Sequence, residues 1–318
     1  MAVALEEWVR CLDNEYLSEF IAEGGAAVRL VVAPDVEAVD TALATLGGTA
    51  LEWGYALAWV DAGQTKVQLI DQLFHAIARQ IDWESGIQRW LKGQLAKSGY
   101  TLPESGALDI DSLTLCNEIT RAELLAEARR WVAHDISSDH SLYREFRNAM
   151  AMLILGQLNP QSVTPSDAEV VHQWLRGEKC SLSVLKRLRL FQRIGRHNGR
   201  LMLSSLAAFL PKLGFKGLVV LLDIRPVVSD APPGTGSLRY TRAAIQDFYE
   251  VLRQCIDSTD ELHHFLLIAA AGPGLVENER RGLDSYTALK LRTIEDVRDK
   301  SRSNPLGMLV HLEGVSTR

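Results

Sequence analysis

Five short apolar segments constrain the fold of this chain more than any other feature of its sequence. Each is mostly apolar, and most end near a Gly, Pro or Asp: AVRLVV (27–32), YALAWVD (55–61), LVVLLD (218–223), FLLIAA (265–270) and the weaker GMLVHL (307–312). Short, almost continuously apolar strands are typical of a parallel sheet whose two faces are both covered by helices. The segments therefore predict an α/β fold with a parallel sheet.

The spacing of the segments predicts how the chain is divided. About 155 residues separate the second segment from the third, which is too long for one crossover connection. Thr164 and Pro165 provide a helix cap and first turn within this region. We therefore expect an α/β core at 1–82 and 213–318, and a mainly helical insertion at 83–212. Helices are predicted at 66–81, 83–97, 109–133, 139–156, 165–177 and 183–212.

Composition limits the classes of function. The chain has 318 residues, of which 47% are hydrophobic and 23% charged, as in a globular protein with a sizeable core. No apolar run reaches the roughly 18 residues of a membrane helix, and the acidic start MAVALEEWVR lacks the regions of a signal peptide. We expect a cytoplasmic protein without membrane contact. No metal site is predicted, because the four cysteines lie far apart: Cys11, Cys116, Cys180 and Cys255.

The stretch VVAPDVEAVDTAL (31–43) follows the first strand, where a nucleotide-binding protein carries G-x-x-x-x-G-K-[ST]. That loop needs glycines for backbone contact with phosphates, a lysine to neutralise them and a hydroxyl for Mg²⁺. If the motif is laid over the strand end, Ala33 and Ala38 take the glycine positions. Val39 takes the lysine position and Asp40 the hydroxyl position. The groups that bind phosphate and Mg²⁺ are therefore all replaced.

Other residues of the same stretch also disfavour a nucleotide. Pro34 has no backbone N–H to donate, and Asp35, Glu37 and Asp40 place negative charge where a triphosphate would lie. The stretch is either an ordinary strand and helix or a phosphate loop that has lost its function. Under both interpretations, it should not hold ATP and Mg²⁺ by the usual route.

Two further segments have weak signals for nucleotide chemistry. GLVVLLDIRP (217–226) has the pattern of a Walker B strand, whose terminal Asp holds the metal. Asp223 is present, but Ile224 stands where a catalytic acid would follow, and a strand-end Asp can simply cap a turn. Arg280 and Arg281 follow the fourth strand and could either reach a neighbouring subunit or lie in a surface loop.

Positive charge is concentrated in one region although the net charge is −6. We call residues 176–200 the basic segment; it contains eight Lys or Arg and one acid, Glu178. The overlapping stretch 186–203 is predicted as a basic helix pair, with an apolar stripe formed by Leu185, Leu188, Phe191, Ile194 and Leu201. Such a surface could contact DNA or RNA phosphates, dock on an acidic partner or simply be solvated. The candidate contact residues are Lys186, Arg187, Arg189, Arg193, Arg196 and Arg200.

The order of the longer segments resembles that of one family. An early GGAAVRLVV strand and a long helical region ending in WLRGE precede RIGRHNGRLMLSSLAAFLPKLGFKGLVVLLDI, YTRAAIQDFYEVLRQCID, RGLDSYTALKLR and RSNPLGMLVHL. From Phe20 to Leu312 the chain is similar to the ATP-binding proteins of BREX-type phage-defence systems. These proteins are AAA+-like P-loop ATPases encoded beside helicases and other defence genes.

The resemblance implies an AAA+-like P-loop NTPase core with a large helical insertion. It places 33–40 at the Walker A loop and Asp223 at the Walker B Asp, while small apolar residues occupy the implied sensor position at the end of FLLIAAAGP. Since the residues that define Walker A are replaced, we expect a catalytically inactive pseudo-ATPase. It would have no catalytic residue and no bound cofactor.

The resemblance also implies partners. We expect a structural or regulatory subunit that associates with other defence-system proteins, such as a helicase or ATPase subunit, in an oligomer or hetero-complex. One alternative is an active or partner-activated ATPase, which would bind ATP and Mg²⁺ and use Asp223 with Arg280 or Arg281 of a neighbour. Another is an adaptor that contacts DNA or RNA through the basic segment.

Overall fold

The five predicted strands form one sheet in the computed structural model, which describes residues 2–103, 106, 108–231, 236–293 and 304–314. The strands are β1 Ala26–Val32, β2 Ala56–Asp61, β3 Leu218–Asp223, β4 Phe265–Ala271 and β5 Leu309–His311. Their order across the sheet is β2-β3-β4-β1-β5, and every neighbouring pair is parallel. This mixed α/β architecture confirms the predicted fold class and agrees with a P-loop NTPase-like core.

Contacts within the chain divide it into two compact units. The first is formed by Met1–Gln80 and Phe215–Arg318, and the second by Ile81–Gly214. The first unit contains the sheet with helices α1 Leu5–Leu12, α2 Val36–Glu52, α3 Ile70–Ala78, α11 Arg225–Val228, α12 Arg242–Asp257, α13 Gly274–Glu277 and α14 Thr287–Thr293. The second unit contains helices α4 Trp83–Lys97, α5 Ile110–Asn117, α6 Arg121–Val132, α7 Arg144–Leu158, α8 Pro165–Arg176, α9 Leu182–Arg187 and α10 Gly199–Phe209.

Helices cover the sheet because its strands are apolar on both faces. Helix α2 places fully buried Val39, Leu43 and Leu46 in one core with Leu221 and Ile268 of the sheet. Helix α12 contacts β1 and has a strongly amphipathic sequence that buries four large side chains: Ile245, Phe248, Tyr249 and Leu252. No helix among the described residues is long and apolar enough to cross a membrane.

Capping chemistry explains where several helices of the second unit begin and end. The predicted start of the 165–177 helix is confirmed, because the Thr164 hydroxyl accepts from the Asp167 N–H at 3.1 Å and Pro165 lies in the first turn. The single helix expected over 109–133 is wrong. Helix α5 ends at Asn117, its C-cap residue Glu118 has a left-handed φ of 53°, and Thr120 caps a new helix, α6.

At each edge of the sheet, groups from the same unit form hydrogen bonds with the backbone of one strand residue. On β2 the Gln80 side chain acts as a short substitute strand: its Oε1 accepts from the Trp59 N–H and its Nε2 donates to the Trp59 carbonyl, both at 2.9 Å. Beside β5, the Val3 N–H donates to the His311 carbonyl at 2.7 Å, and the Glu313 N–H donates to the Val3 carbonyl at 2.9 Å. These contacts satisfy backbone groups that an edge strand would otherwise leave open.

Replacing Gln80 by alanine is expected to lower the free energy of unfolding by about 1–2 kcal/mol, because two hydrogen bonds to the Trp59 backbone are lost. The opened edge should also promote self-association. Urea denaturation and light scattering measure the two effects. The matched control is Gln64→Ala, which removes an exposed glutamine of the same unit and should change stability by less than about 0.5 kcal/mol. Equal behaviour of the two variants would contradict the role of Gln80.

Candidate functional site

The candidate site lies at the carboxyl edge of the sheet, around the ends of β1 and β3. The strand order reverses at β1: the chain leaves β1 for β2 on one side, and returns after β4 to place β5 on the other. In open α/β sheets, ligands bind in the crevice at the carboxyl ends of strands near such a reversal. The residues of this edge therefore decide what the core can bind.

The turn between β1 and α2 is short and closed by its own side chains. Ala33 continues the ladder, with its N–H donating to the Ala271 carbonyl at 3.0 Å, and α2 already begins at Val36. The Asp35 carboxylate caps the helix by accepting from the Ala38 N–H at 2.8 Å. The sequence register placed the motif loop as far as Asp40, but four of its residues are helical before that position is reached. A first-turn N–H that could face a phosphate is already bonded to a carboxylate.

The position of the motif lysine faces the protein interior. Val39 is fully buried in the core between α2 and the sheet, and Ala38 is also buried. Asp40, one residue further, turns outward and has a side chain that is 57% exposed. A working loop has a lysine at the position of Val39 and a hydroxyl at the position of Asp40. Only Asp40 reaches the surface of the site here.

Arg225, the first residue of α11, joins helix α2 to the end of β3. Its Nη2 lies 2.6 Å from Asp40 Oδ1 and 2.6 Å from Asp223 Oδ2. Its Nε lies 3.0 Å from each carboxylate oxygen of Asp223, and its Nη1 donates to the Val36 carbonyl at 3.2 Å. One guanidinium thus bridges the Asp at the motif hydroxyl position and the Asp at the Walker B position.

The surroundings of the Arg225 guanidinium fix the charge of that side chain. The hydrogen bonds to Asp223 are the largest cause that raises the pKa of the Arg225 guanidinium above its already high ordinary value; burial opposes them, and the contact with Asp40 adds to them. The side chain is therefore a permanent cation. Asp223 is buried, so the guanidinium supplies the charge compensation that a buried carboxylate requires.

Sequence reasoning found Asp40 and Asp223 but missed Arg225. The signal was present in Asp223-Ile224-Arg225-Pro226, where an arginine follows the strand-end Asp by two residues. The Arg225 backbone N–H also donates to Asp223 Oδ1 at 3.0 Å, so the aspartate caps the turn as well. Its second partner, Asp40, is distant in sequence and is brought close only by the strand order.

The groups at this edge do not fit a magnesium triphosphate. The loop lacks a lysine, and its Asp35 carboxylate occupies an N–H of the first turn. The two carboxylates that could hold a cation are bridged by Arg225. Exposed Glu37 adds further negative charge beside the turn. Among the described residues, no group of three or more His, Cys, Asp or Glu side chains is arranged to hold a metal ion.

The two candidate intersubunit arginines differ in their surroundings. The Arg281 guanidinium is bound within its own unit: Nε lies 3.0 Å from Asp230 Oδ1, and the terminal nitrogens donate to the Val227 and Tyr240 carbonyls at 3.1 and 3.2 Å. Arg280 is exposed, and its backbone N–H donates to Asn278 Oδ1 at 3.0 Å. Arg281 therefore stabilises the loop, and Arg280 is the one of the two that faces outward.

The predicted basic helix pair is wrong in its middle part. Helix α9 ends at Arg187, Arg189 has a left-handed φ of 59°, and α10 begins only at Gly199. We call the intervening residues the 188–198 loop. The predicted apolar stripe is broken with the helix: Leu188 and Ile194 are buried, whereas Phe191 and Leu201 are 52% and 46% exposed.

All six basic candidates are exposed, but their partners differ. Arg187 is paired with Asp167, and the Arg193 guanidinium donates to the Cys180 carbonyl at 3.1 Å. The side chains of Lys186, Arg189 and Arg196 contact no carboxylate among the described residues. Arg200 is the second residue of α10. The positive charge that remains uncompensated is thus centred on the 188–198 loop and the end of α9.

Comparison with known proteins identifies a family. The family model described as "BREX system ATP-binding protein BrxC/D" matches residues 145–318, more than half of the chain. The matched region includes Asp223, Arg225 and the basic segment, whereas the turn between β1 and α2 precedes it. No curated protein and no solved structure gives a significant match.

Proposed function

Because the chain belongs to the BREX system ATP-binding protein BrxC/D family, we propose that it is a pseudo-ATPase: a structural or regulatory subunit that does not hydrolyse ATP. The family places the chain among the components of a phage-defence system, which is built from several proteins. What the proposal adds is the loss of hydrolysis within that role.

The contact of Arg225 with both Asp40 and Asp223 carries the proposal. In a P-loop ATPase, a loop hydroxyl and the Walker B Asp hold Mg²⁺, and lysine and metal together stabilise the charge of phosphoryl transfer. Here the two corresponding positions are carboxylates held by one guanidinium at 2.6 Å each. The lysine position is buried Val39. These features support a core that keeps the P-loop architecture without its phosphate chemistry.

The purified protein is expected to release no phosphate from ATP in the presence of Mg²⁺, and Asp223→Ala should leave this background unchanged. Since a ligand that binds the folded state raises its stability, millimolar ATP with Mg²⁺ should also leave the melting temperature unchanged. A phosphate-release assay and thermal melting measure the two. The proposal would be contradicted if the purified protein hydrolysed ATP and Asp223→Ala abolished that activity.

We also propose that the chain works in complex with an ATPase or helicase of the same system and contacts nucleic acid through the basic segment. The exposed arginines and lysine described above support such a surface. When the assembled complex is purified, its ATPase activity should survive Asp223→Ala in this subunit, because the hydrolytic site would belong to the partner. Loss of that activity on Asp223→Ala, with the complex intact, would assign hydrolysis to this chain instead.

A further inference from the structure

Phe191 in the 188–198 loop has a large aromatic side chain that is exposed within a stretch of sequence rich in positive charge. Its exposed fraction is 52%, whereas its neighbours Leu188 and Leu190 are buried. Arg189 and Arg193 lie two residues to either side of it, and both are exposed. An aromatic ring beside cations is the combination that proteins use to bind unpaired nucleic-acid strands, by stacking on bases and contacting phosphates.

The backbone of the loop that carries Phe191 is held by hydrogen bonds to side chains of the same unit. The Phe191 N–H donates to Glu145 Oε2 at 3.0 Å, and Glu145 is fully buried while its Oε1 accepts from Arg144 at 3.0 Å. Two residues before Phe191, the Arg189 carbonyl accepts a hydrogen bond from the Asn148 side chain at 2.8 Å. Two side chains of α7 thus fix the backbone around the exposed ring.

The following residues are held in the same way. The Gln192 carbonyl accepts from the indole N–H of Trp174 at 3.0 Å, and its side-chain Oε1 accepts from the Tyr143 hydroxyl at 3.0 Å. Asn198 Oδ1 accepts from the Gly195 N–H at 2.8 Å. Because these bonds fix the backbone independently of Phe191's own packing, the loop backbone does not have to be ordered when a ligand binds.

We infer that the 188–198 loop binds single-stranded nucleic acid, with Phe191 stacking on a base and with Lys186, Arg189 and Arg196 contacting phosphates. These three cations have no carboxylate partner among the described residues, so no internal ion pair has to be broken for them to reach phosphates. A duplex offers no unpaired base face to Phe191, which favours a single strand over double-stranded DNA.

The inference deepens the proposed contact surface and does not depend on the state of the nucleotide site. Binding is therefore measured without nucleotide, and Arg225→Ala, if folded, should leave it unchanged. Failure of strand binding would leave the pseudo-ATPase proposal standing. ATP hydrolysis by the chain would likewise leave strand binding standing.

The test is fluorescence anisotropy with a labelled 20-nucleotide oligo(dT) at about 50 mM salt. Phe191→Ala and Phe191→Leu are expected to weaken binding about tenfold, whereas Phe191→Trp should retain it, because stacking needs an aromatic ring and not merely an apolar one. Removing Lys186, Arg189 and Arg196 together should lower the salt dependence by about two in the slope of log affinity against log salt. The control Lys92→Ala, an exposed lysine of α4, should bind like wild type.

The outcomes that would overturn the inference are distinct. Absence of binding at low salt would do so, as would equal affinity of Phe191→Leu and the wild type, or preference for duplex over single strand. If the same substitutions instead abolish capture of an acidic protein subunit while oligo(dT) does not bind, the surface is a protein contact and the inference is wrong. Circular dichroism and thermal melting establish that each variant is folded.

Discussion

Val39→Lys, which restores the charged residue of the phosphate-loop motif, is expected to destabilise the protein by on the order of 4 kcal/mol at pH 7 without creating ATP binding. Val39 is fully buried against the sheet, so the ammonium would lose its hydration with no partner. Full burial lowers a lysine pKa by up to about 3–5 units, and each unit corresponds to about 1.36 kcal/mol. Urea denaturation measures the loss.

The pH dependence of this variant identifies the cause. A lysine whose pKa is lowered in the folded state binds more protons when unfolded, so stability rises with pH between the folded pKa and the unfolded value of about 10.4. The difference between variant and wild type should therefore be smaller at pH 9.5 than at pH 7. Packing strain alone would give a difference that does not change with pH.

The control for Val39→Lys is Val36→Lys, in the same helix. Val36 is 63% exposed, and lysine there should cost less than about 1 kcal/mol, mainly through its position near the positive helix terminus. Equal stability of the two variants would contradict the inward orientation of Val39. ATP binding by Val39→Lys would show that this edge of the sheet still forms a phosphate loop, against the proposed function.

Arg225→Ala should cost about 2–3 kcal/mol of unfolding free energy. Removing one partner of a fully buried ion pair costs about 3–5 kcal/mol. The expected loss for Arg225→Ala is smaller because the Asp40 side chain is 57% exposed. The variant leaves the buried Asp223 carboxylate without its cation. Arg225→Lys should fall between, since an ammonium keeps the charge but not the planar fork that reaches both carboxylates. Urea denaturation measures the three proteins.

Magnesium provides a second measurement on the same variant. Once the guanidinium is gone, two carboxylates that shared one nitrogen atom face each other, and oxygen ligands of this kind suit Mg²⁺. Millimolar Mg²⁺ should therefore raise the melting temperature of Arg225→Ala and leave the wild type unchanged. Arg239→Ala, which removes an exposed arginine, is the matched control. A wild-type response to Mg²⁺ equal to that of Arg225→Ala would contradict the bridging role.

The strands were predictable because their signal is local. β3 and β4 are continuous apolar runs apart from Asp223 at the end of β3, and the structure places them where the sequence indicated. The inward position of Val39 was readable too, from the helical spacing of Val39, Leu43 and Leu46. Placing the phosphate-loop motif on the sequence by register alone concealed the inward position of Val39. The motif assumes a loop where this chain has already begun a helix.

The parts that could not be predicted depend on contacts between distant segments. Arg225 meets Asp40 only because the strand order brings the ends of β1 and β3 to the same edge, and no short-range pattern encodes that order. The 188–198 loop has the composition of a helix, but Glu145 and Asn148 bind its backbone and hold it in another shape. Phe191 is exposed as a result, which reverses its predicted role in an apolar stripe.

The hydrogen bonds that Gln80 and Val3 form at the edges of the sheet also limit how other proteins can bind this one. A partner that donates a strand needs free backbone groups along an edge, and such recognition depends little on side-chain identity. The backbone N–H and carbonyl of Trp59 and the carbonyl of His311 are already hydrogen-bonded within the chain. A partner protein that binds at these two residues would therefore have to contact helix and loop side chains. Binding through such side chains would be sensitive to single surface substitutions that leave the fold intact.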